Sequence, residues 1–396
     1  MSMEALTACF EALEDPRTGN AGRHNLLELL VIGLCTMLCG GEDCTDMALF
    51  GRAKEPLLRQ FLRLRHGIPS HDTFSRVFRL LDPAKFHACF LRFMPQLAAT
   101  TQGVVAIDGK TLRHSFDRAA GRSALHLVSA WAADQRLMLG QLAVDGKSNE
   151  MTAVPKLLEM LCLTGTIVTA DALNCQRDIA KQVVEQGGDY ALALKGNQGT
   201  LLADVSLFLD DPETVPDSRD RVVEGDHGRI ETRCCLVSTG IDWLQEQHKW
   251  PGLKAIGKVT RSREIGARTT TEIACYLLSA PLPAARFGAV VRHHWGIENS
   301  LHWVLDVTMN EDHTRNRKDH GPENLALLRR LALNLARLEP SKNSIKGKLK
   351  RAGWNDAFLL QLLSQFANPQ MRLPCRGGIT RTRRLSGGSR GGNAAP

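Results

Sequence analysis

Two apolar runs in this chain each end in an aspartate. Val104-Val105-Ala106-Ile107 leads into Asp108 and Gly109, and Thr166-Ile167-Val168-Thr169-Ala170 leads into Asp171. Runs of this length, rich in β-branched residues and bounded by turn formers, read as buried strands. An acid where such a strand leaves its sheet is held rigidly while its carboxylate faces an open site. A third acid, Glu298, falls in a series with Phe287, Val291, His294, Leu301 and Leu305 at three- and four-residue steps. That spacing predicts one helix from about Ala284 to Leu305, with Glu298 on its inward stripe. An ionised glutamate there is costly unless paired or bound to metal. The bland alternative is a structural bridge from Glu298 to His294 or His302.

Three carboxylates can hold two magnesium or manganese ions if one of them bridges, because such ions take oxygen ligands and keep several waters. Two ions side by side serve phosphodiester displacement, one on the attacking oxygen and one on the leaving oxygen. Asp108, on the central strand, is the expected bridge, with Asp171 and Glu298 completing the two shells. Lys110, Lys195, Arg292 and Arg317 are expected to neutralise backbone phosphates. His294, Glu298 and His302 are a second constellation, a zinc set at four-residue intervals along one helix. At a rise of roughly 1.5 Å per residue those three spread over about 12 Å, which works against a single ion.

The elements that must position these acids follow from the rhythm of the chain. Residues 1–98 read as all-helical. Gly67-Ile68-Pro69-Ser70 breaks the chain, and Ser70 caps a helix through Phe74, Val77 and Phe78 that shows His71, Thr73, Ser75 and Arg76. The pattern alone favours ordinary helical packing over a helix-turn-helix DNA reader. Strands are expected at 104–108, 126–132, 138–145, 166–171 and 190–194. A helix capped by Thr152, with Pro155 in its first turn, lies before the fourth strand; another, ended by Gly187-Gly188, lies before the fifth. The order β-β-β-α-β-α-β predicts an α/β fold with a mixed five-stranded sheet of the ribonuclease-H-like kind, which sets the ends of its first and fourth strands side by side. A β-rich insertion is expected at about 204–280, opening with an acidic surface loop to Arg221 and carrying Arg261, Arg263 and Arg268 at a hairpin tip. An amphipathic helix bearing Arg329 and Arg330 follows. A basic helical segment at 341–376 and a disordered Gly/Arg tail at 377–396 close the chain.

A net charge of +8 suits a polyanionic partner. The 11 cysteines show no pairing pattern, which fits a reducing compartment. Cys35, Cys39 and Cys44 lack zinc spacing and read as buried thiols. The apolar stretch Leu26–Cys39 is too short to span a bilayer, and the N-terminus lacks a signal pattern, so a cytoplasmic protein with no membrane partner is expected.

Several stretches together resemble one family. They are Asp15-Pro16-Arg17, Gly67 to Phe74, Ala106-Ile107-Asp108-Gly109-Lys110, Lys147-Ser148-Asn149-Glu150, Thr169-Ala170-Asp171-Ala172, Ala193 to Gln198, His294 to Asn299 with Leu301-His302-Trp303, and Arg329 to Asn334. Their order along the chain is similar to that of insertion-sequence transposases of the ISAs type, the H-repeat-associated family, within the DDE transposases. The resemblance implies metal-dependent cleavage and strand transfer at terminal inverted repeats, with Asp108, Asp171 and Glu298 as catalytic and metal-binding acids. It implies double-stranded DNA as partner and a homo-oligomer on that DNA, and it raises the helix-turn-helix reading. The DNA-facing set is then Lys110, Lys195, Asn197, Arg292, His294, His302 and Arg317, with His71 and Arg76 on the N-terminal helix. Related transposases keep a Tyr, an Arg and a Lys around the glutamate; here those positions hold Val291, His294 and Leu305. The rival readings are a catalytically silent DNA-binding remnant and a host nuclease or zinc hydrolase.

Overall fold

The computed structural model describes residues 8, 10–93, 103–144, 150–226 and 228–367. The 98/99 domain boundary, Lys147-Ser148-Asn149 and the tail at 377–396 lie outside the described residues. The N-terminal part is helical: α1 (Leu26–Leu38), α2 (Cys44–Ala53), α3 (Glu55–Leu58), α4 (His71–Leu80) and α5 (Pro83–Phe93). The α1 helix is apolar on nearly every side, and a helix with that pattern must be enclosed. It packs against α2 and against the late helix at Gly321–Leu338. Ser70 caps α4 through the Thr73 N–H, and Phe74, Val77 and Phe78 turn inward while His71 and Arg76 are exposed.

The sheet opens with β1 (Gly103–Thr111), β2 (His126–Ala132) and β3 (Leu137–Val144), an antiparallel meander. After α6 (Glu150–Glu159), β4 (Thr166–Ala170) pairs parallel with β1; after α7 (Arg177–Glu185), β5 (Asp189–Leu194) pairs parallel with β4. The α6 helix starts two residues before the expected Thr152 cap, so Pro155 lies inside it.

The five expected strands are part of a larger sheet, which among the described residues has nine strands in the order β3-β2-β1-β4-β5-β9-β8-β7-β6. Helix α8 (Gly199–Asp210) leads to β6 (Ser218–Asp226) and β7 (Arg229–Ser238). After α9 (Asp242–His248) come β8 (Ala255–Ile265) and β9 (Arg268–Leu278). β9 pairs antiparallel with β5, so the insertion continues the sheet instead of sitting beside it. The expected acidic loop from Asp204 to Arg221 is corrected. Its first part belongs to α8, whose Leu201, Val205 and Leu209 form a buried stripe hidden among acids.

Strand alternation sends Val104 to one side of the sheet and Val105 and Ile107 to the other. On the first side, α10 (Ala284–Ile297) buries Ala284, Phe287, Val290 and Val291 against the sheet. On the second, α6, α7 and the N-terminal helices share a core with α11 (Gly321–Leu338). Helices α12 (Ile345–Trp354) and α13 (Asp356–Leu363) pack on α11. Among the described residues no helix is long and apolar enough to cross a membrane.

Candidate active site

Ile107 on β1 is in register with Ala170 on β4, so Asp108 and Asp171 are the next residues on adjacent parallel strands. Backbone geometry therefore brings them together across a separation of 63 positions in sequence. Asp171 caps the short turn Ala172–Asn174; its Oδ1 accepts from Asn174 Nδ2 at 2.9 Å and from the Asn174 N–H at 3.3 Å. Asp108 is half-buried, and its pKa is pushed up to about 7. Burial is the main cause, and the negative charges of Asp171, Glu298 and Glu150 add to it.

Glu298 arrives differently from the expectation. α10 does not continue as one α-helix to Leu305. At Glu298 the chain widens into π-helical turns, Glu298–His302 and Val304–Thr308. The widening begins at Glu298 and shifts the side chains that follow it, while Ile297 takes the buried position beside Glu298. Leu301 and Leu305 stay buried, but Glu298 is exposed and is not on the inward stripe. It needs no structural bridge to offset burial. Such wide turns often mark functional sites.

The two histidines of the zinc reading have separate partners. His294 Nδ1 is 3.1 Å from the Thr169 hydroxyl, and burial lowers its pKa to about 4. His302 Nδ1 is 3.5 Å from Asp108 Oδ2, and burial, helped by Arg330 and Lys110, lowers its pKa to about 3. A His302 held neutral is not a counter-charge for Asp108. Among the described residues, no group of three or more His, Cys, Asp or Glu side chains is gathered tightly enough to hold a metal ion. What the acids do form is a looser set that raises the Asp108 pKa by mutual repulsion. Beside it, Asn174 Oδ1 and His302 Nε2 are buried without a hydrogen-bond partner. Oxygen-rich, net negative and short of donors, this set fits hydrated magnesium or manganese better than zinc.

Lys110, expected to meet a backbone phosphate, sits in a buried clamp of carboxylates. Only 8% exposed, its Nζ lies 2.6 Å from Asp306 Oδ1, 3.1 Å from Asp312 Oδ1 and 3.3 Å from Glu311 Oε2. Glu311 is also bound by the buried Arg330 at 2.5 Å, and the two cations hold its pKa near 2 against the effect of burial. Arg317 is also taken: its Nε donates to the His114 carbonyl at 3.1 Å, and its guanidinium lies 4.7 Å from the Phe116 ring centre. Arg329 and Arg330 are buried. Lys195 is exposed, and Asn197 donates to the Ala172 carbonyl at 2.7 Å, bracing the Asp171 turn.

Between β7–β9 and α10 runs a cleft of about 680 Å³, lined by five arginines (229, 233, 261, 263 and 292) and two glutamates (231 and 272). Trp295, which is 47% exposed, lines it, as do Asn299 and Ser300, the neighbours of Glu298 in sequence. The Arg261 guanidinium lies 6.0 Å from the Trp295 ring centre. Arg292 belongs to this cleft and pairs with Glu224 at 2.8 Å. Sequence reasoning missed the cleft because its cations come from three separate elements, β7, β8 and α10. It also missed Glu150, whose signal was present in the Lys147–Glu150 motif.

Residues 99–335 match the family described as "Transposase DDE domain", and residues 7–94 match its companion, "DDE_Tnp_1-associated". The chain is 37% identical over 376 residues to the "H repeat-associated putative transposase YhhI" of Escherichia coli (strain K12), covering 92% of this chain and 99% of that one. It is 45% identical over 274 residues to an uncharacterised protein from the dhlA 3′ region of Xanthobacter autotrophicus, covering 68% and 92%. A piggyBac transposase synaptic complex aligns with 94% of this chain and 78% of that one, at a TM-score of 0.44 and 12% identity.

Proposed function

The chain belongs to the DDE transposase family, and from that premise we propose that Asp108, Asp171 and Glu298 catalyse metal-dependent DNA cleavage and strand transfer at the inverted repeats of an insertion sequence. One observation carries the reading: Asp108 and Asp171 emerge side by side from parallel strands, with the charge of Glu298 acting on Asp108. We read the first five strands as the ribonuclease-H-like core and β6–β9 as its insertion.

Asp108 and Asp171 would share one divalent magnesium or manganese ion, and Asp108 and Glu298 a second. When bound, the ions make an attacking oxygen more acidic and offset charge on the leaving one. The chain's own residues do the rest. Asp171 is held by Asn174, so its carboxylate pays little to be oriented. Lys110 ties β1 to the segment that follows Glu298 and so sets the distance between two of the acids. The arginine-lined cleft would hold a DNA backbone near Glu298, and Trp295 would offer a ring face to an unpaired base. His71 and Arg76, exposed on α4 in the N-terminal part of the chain, would be available to DNA there, and Lys195 to the strand near Asp171. A homo-oligomer would bring two element ends together.

The test is nicking of DNA carrying the element's own inverted repeat, in magnesium or manganese. Asp108→Ala is expected to abolish nicking while specific binding survives. Equal nicking by that variant removes the site from the reaction.

A further inference from the structure

Gly109 points to the face of β1 opposite Asp108, and a side chain there has no room. A Cβ would lie 2.4 Å from Glu150 Oε1 and 2.5 Å from His126 Nε2. Glu150, only 2% exposed, is thus packed directly behind the aspartate. Its Oε1 accepts from His126 Nε2 at 2.6 Å, and the other ring nitrogen lies 2.8 Å from the Thr111 hydroxyl. Its Oε2 accepts from Asn174 Nδ2 at 3.3 Å, and the same amide donates to Asp171 Oδ1 at 2.9 Å. Both partners of that amide are carboxylates that only accept, so its orientation is forced. A buried carboxylate stationed next to other acids is costly, and this one has a neutral amide and a histidine as its partners.

We propose that Glu150 is a positioning residue of the acidic centre: through Asn174 it sets the rotamer of Asp171, and through His126 it fixes the underside of β1 at Gly109. The proposal rests on the reading of Asp108, Asp171 and Glu298 as metal-binding acids. Glu150 does not touch DNA or the reacting atoms; it limits the directions Asp171 can face. Supporting residues of this kind are worth roughly 10–100-fold in metal affinity.

The test titrates manganese into the full-length protein without DNA and reads free ion by electron paramagnetic resonance. Asp171→Ala is the reference. Glu150→Ala and Asn174→Ala are each expected to weaken binding by roughly 10–100-fold, and the double variant no further than the worse single one, since both break the same chain. Glu150→Gln, which keeps an acceptor for Asn174, is expected to recover most of the affinity, and Asn174→Ala decides the matter if Glu150→Ala does not fold. If Asp171→Ala weakens manganese binding while Asn174→Ala and both Glu150 variants leave it unchanged, the proposal is overturned and the three-acid reading stands. If Asp171→Ala leaves binding unchanged, the three-acid reading itself fails.

Discussion

Lys110 Nζ lies 2.6 Å from Asp306 Oδ1, joining the strand that carries Asp108 to the π-helical segment that begins at Glu298. The motif Asp108-Gly109-Lys110 thus does three jobs on three sides. Asp108 faces the site, Gly109 makes room for Glu150, and Lys110 anchors the segment after Glu298.

Removing the anchor is expected to be a stability lesion. Lys110→Met leaves Asp306 and Glu311 short of a buried partner, and breaking such a group costs about 3–5 kcal/mol. Chemical denaturation should show the midpoint falling. Where the variant still folds, the salt dependence of DNA binding should match the wild type. A salt slope flattened by one phosphate contact, with unchanged stability, would restore the phosphate role.

The pH dependence of the metal-free protein follows from Asp108. Its pKa in the folded chain is about 7, against an ordinary value of 3.8, so the native state holds this proton more tightly. The resulting loss of stability is absent below the ordinary value, grows as pH rises, and is complete above about 7. Asp108→Asn removes it. In EDTA at pH 8 that variant should melt a few degrees above the wild type, a gain on the order of 1–3 kcal/mol after allowing for partial exposure. At pH 4 the two should coincide, and equal melting at both values would contradict the burial argument.

Gly109→Ala should be poorly tolerated although alanine suits a strand. Its methyl group would collide with Glu150 and His126, both enclosed, and overpacking of this kind costs about 1–3 kcal/mol. Thermal melting and nicking should both fall. Full activity would mean that Glu150 moves freely.

The cleft makes a prediction for binding. Arg263→Ala and Arg292→Ala should each weaken binding and reduce the log–log salt slope by about 0.9 per lost phosphate contact. Trp295→Ala should leave that slope unchanged while costing about 1–3 kcal/mol with unpaired ends, through lost base stacking. If none of the three alters binding of inverted-repeat DNA, the cleft does not carry the substrate.

Part of this protein was readable before any coordinates. The strands around Asp108 and Asp171 announced themselves by apolar runs, and the alternation of strand and helix required parallel pairing between them. The Ser70 cap was legible because a single side chain makes it. The helix at 199–210 was not, since Asp204 and Asp210 join it to the acidic, proline-containing stretch that follows and so drew its second half into an expected loop. Glu298 was assigned to the right helix and the wrong side. A helical period alone does not decide which of two neighbours, Ile297 or Glu298, turns inward at the edge of the stripe, and packing buries Ile297.

The linear order of residues determined which side chains have the chemistry and which strands would carry the two aspartates, because periodicity and strand pairing are local properties. Tertiary structure alone decided the partners of those groups. Lys110 and Arg317 read as free cations along the chain, yet folding spends them on Asp306, Glu311, Asp312 and the His114 carbonyl. Glu150 stood in the sequence only as the end of the Lys147–Glu150 motif, with no position assigned to its side chain, and folding buries it behind Gly109. A charge takes its role from its neighbours' distances and from its exclusion from water, and both are set only when distant segments pack.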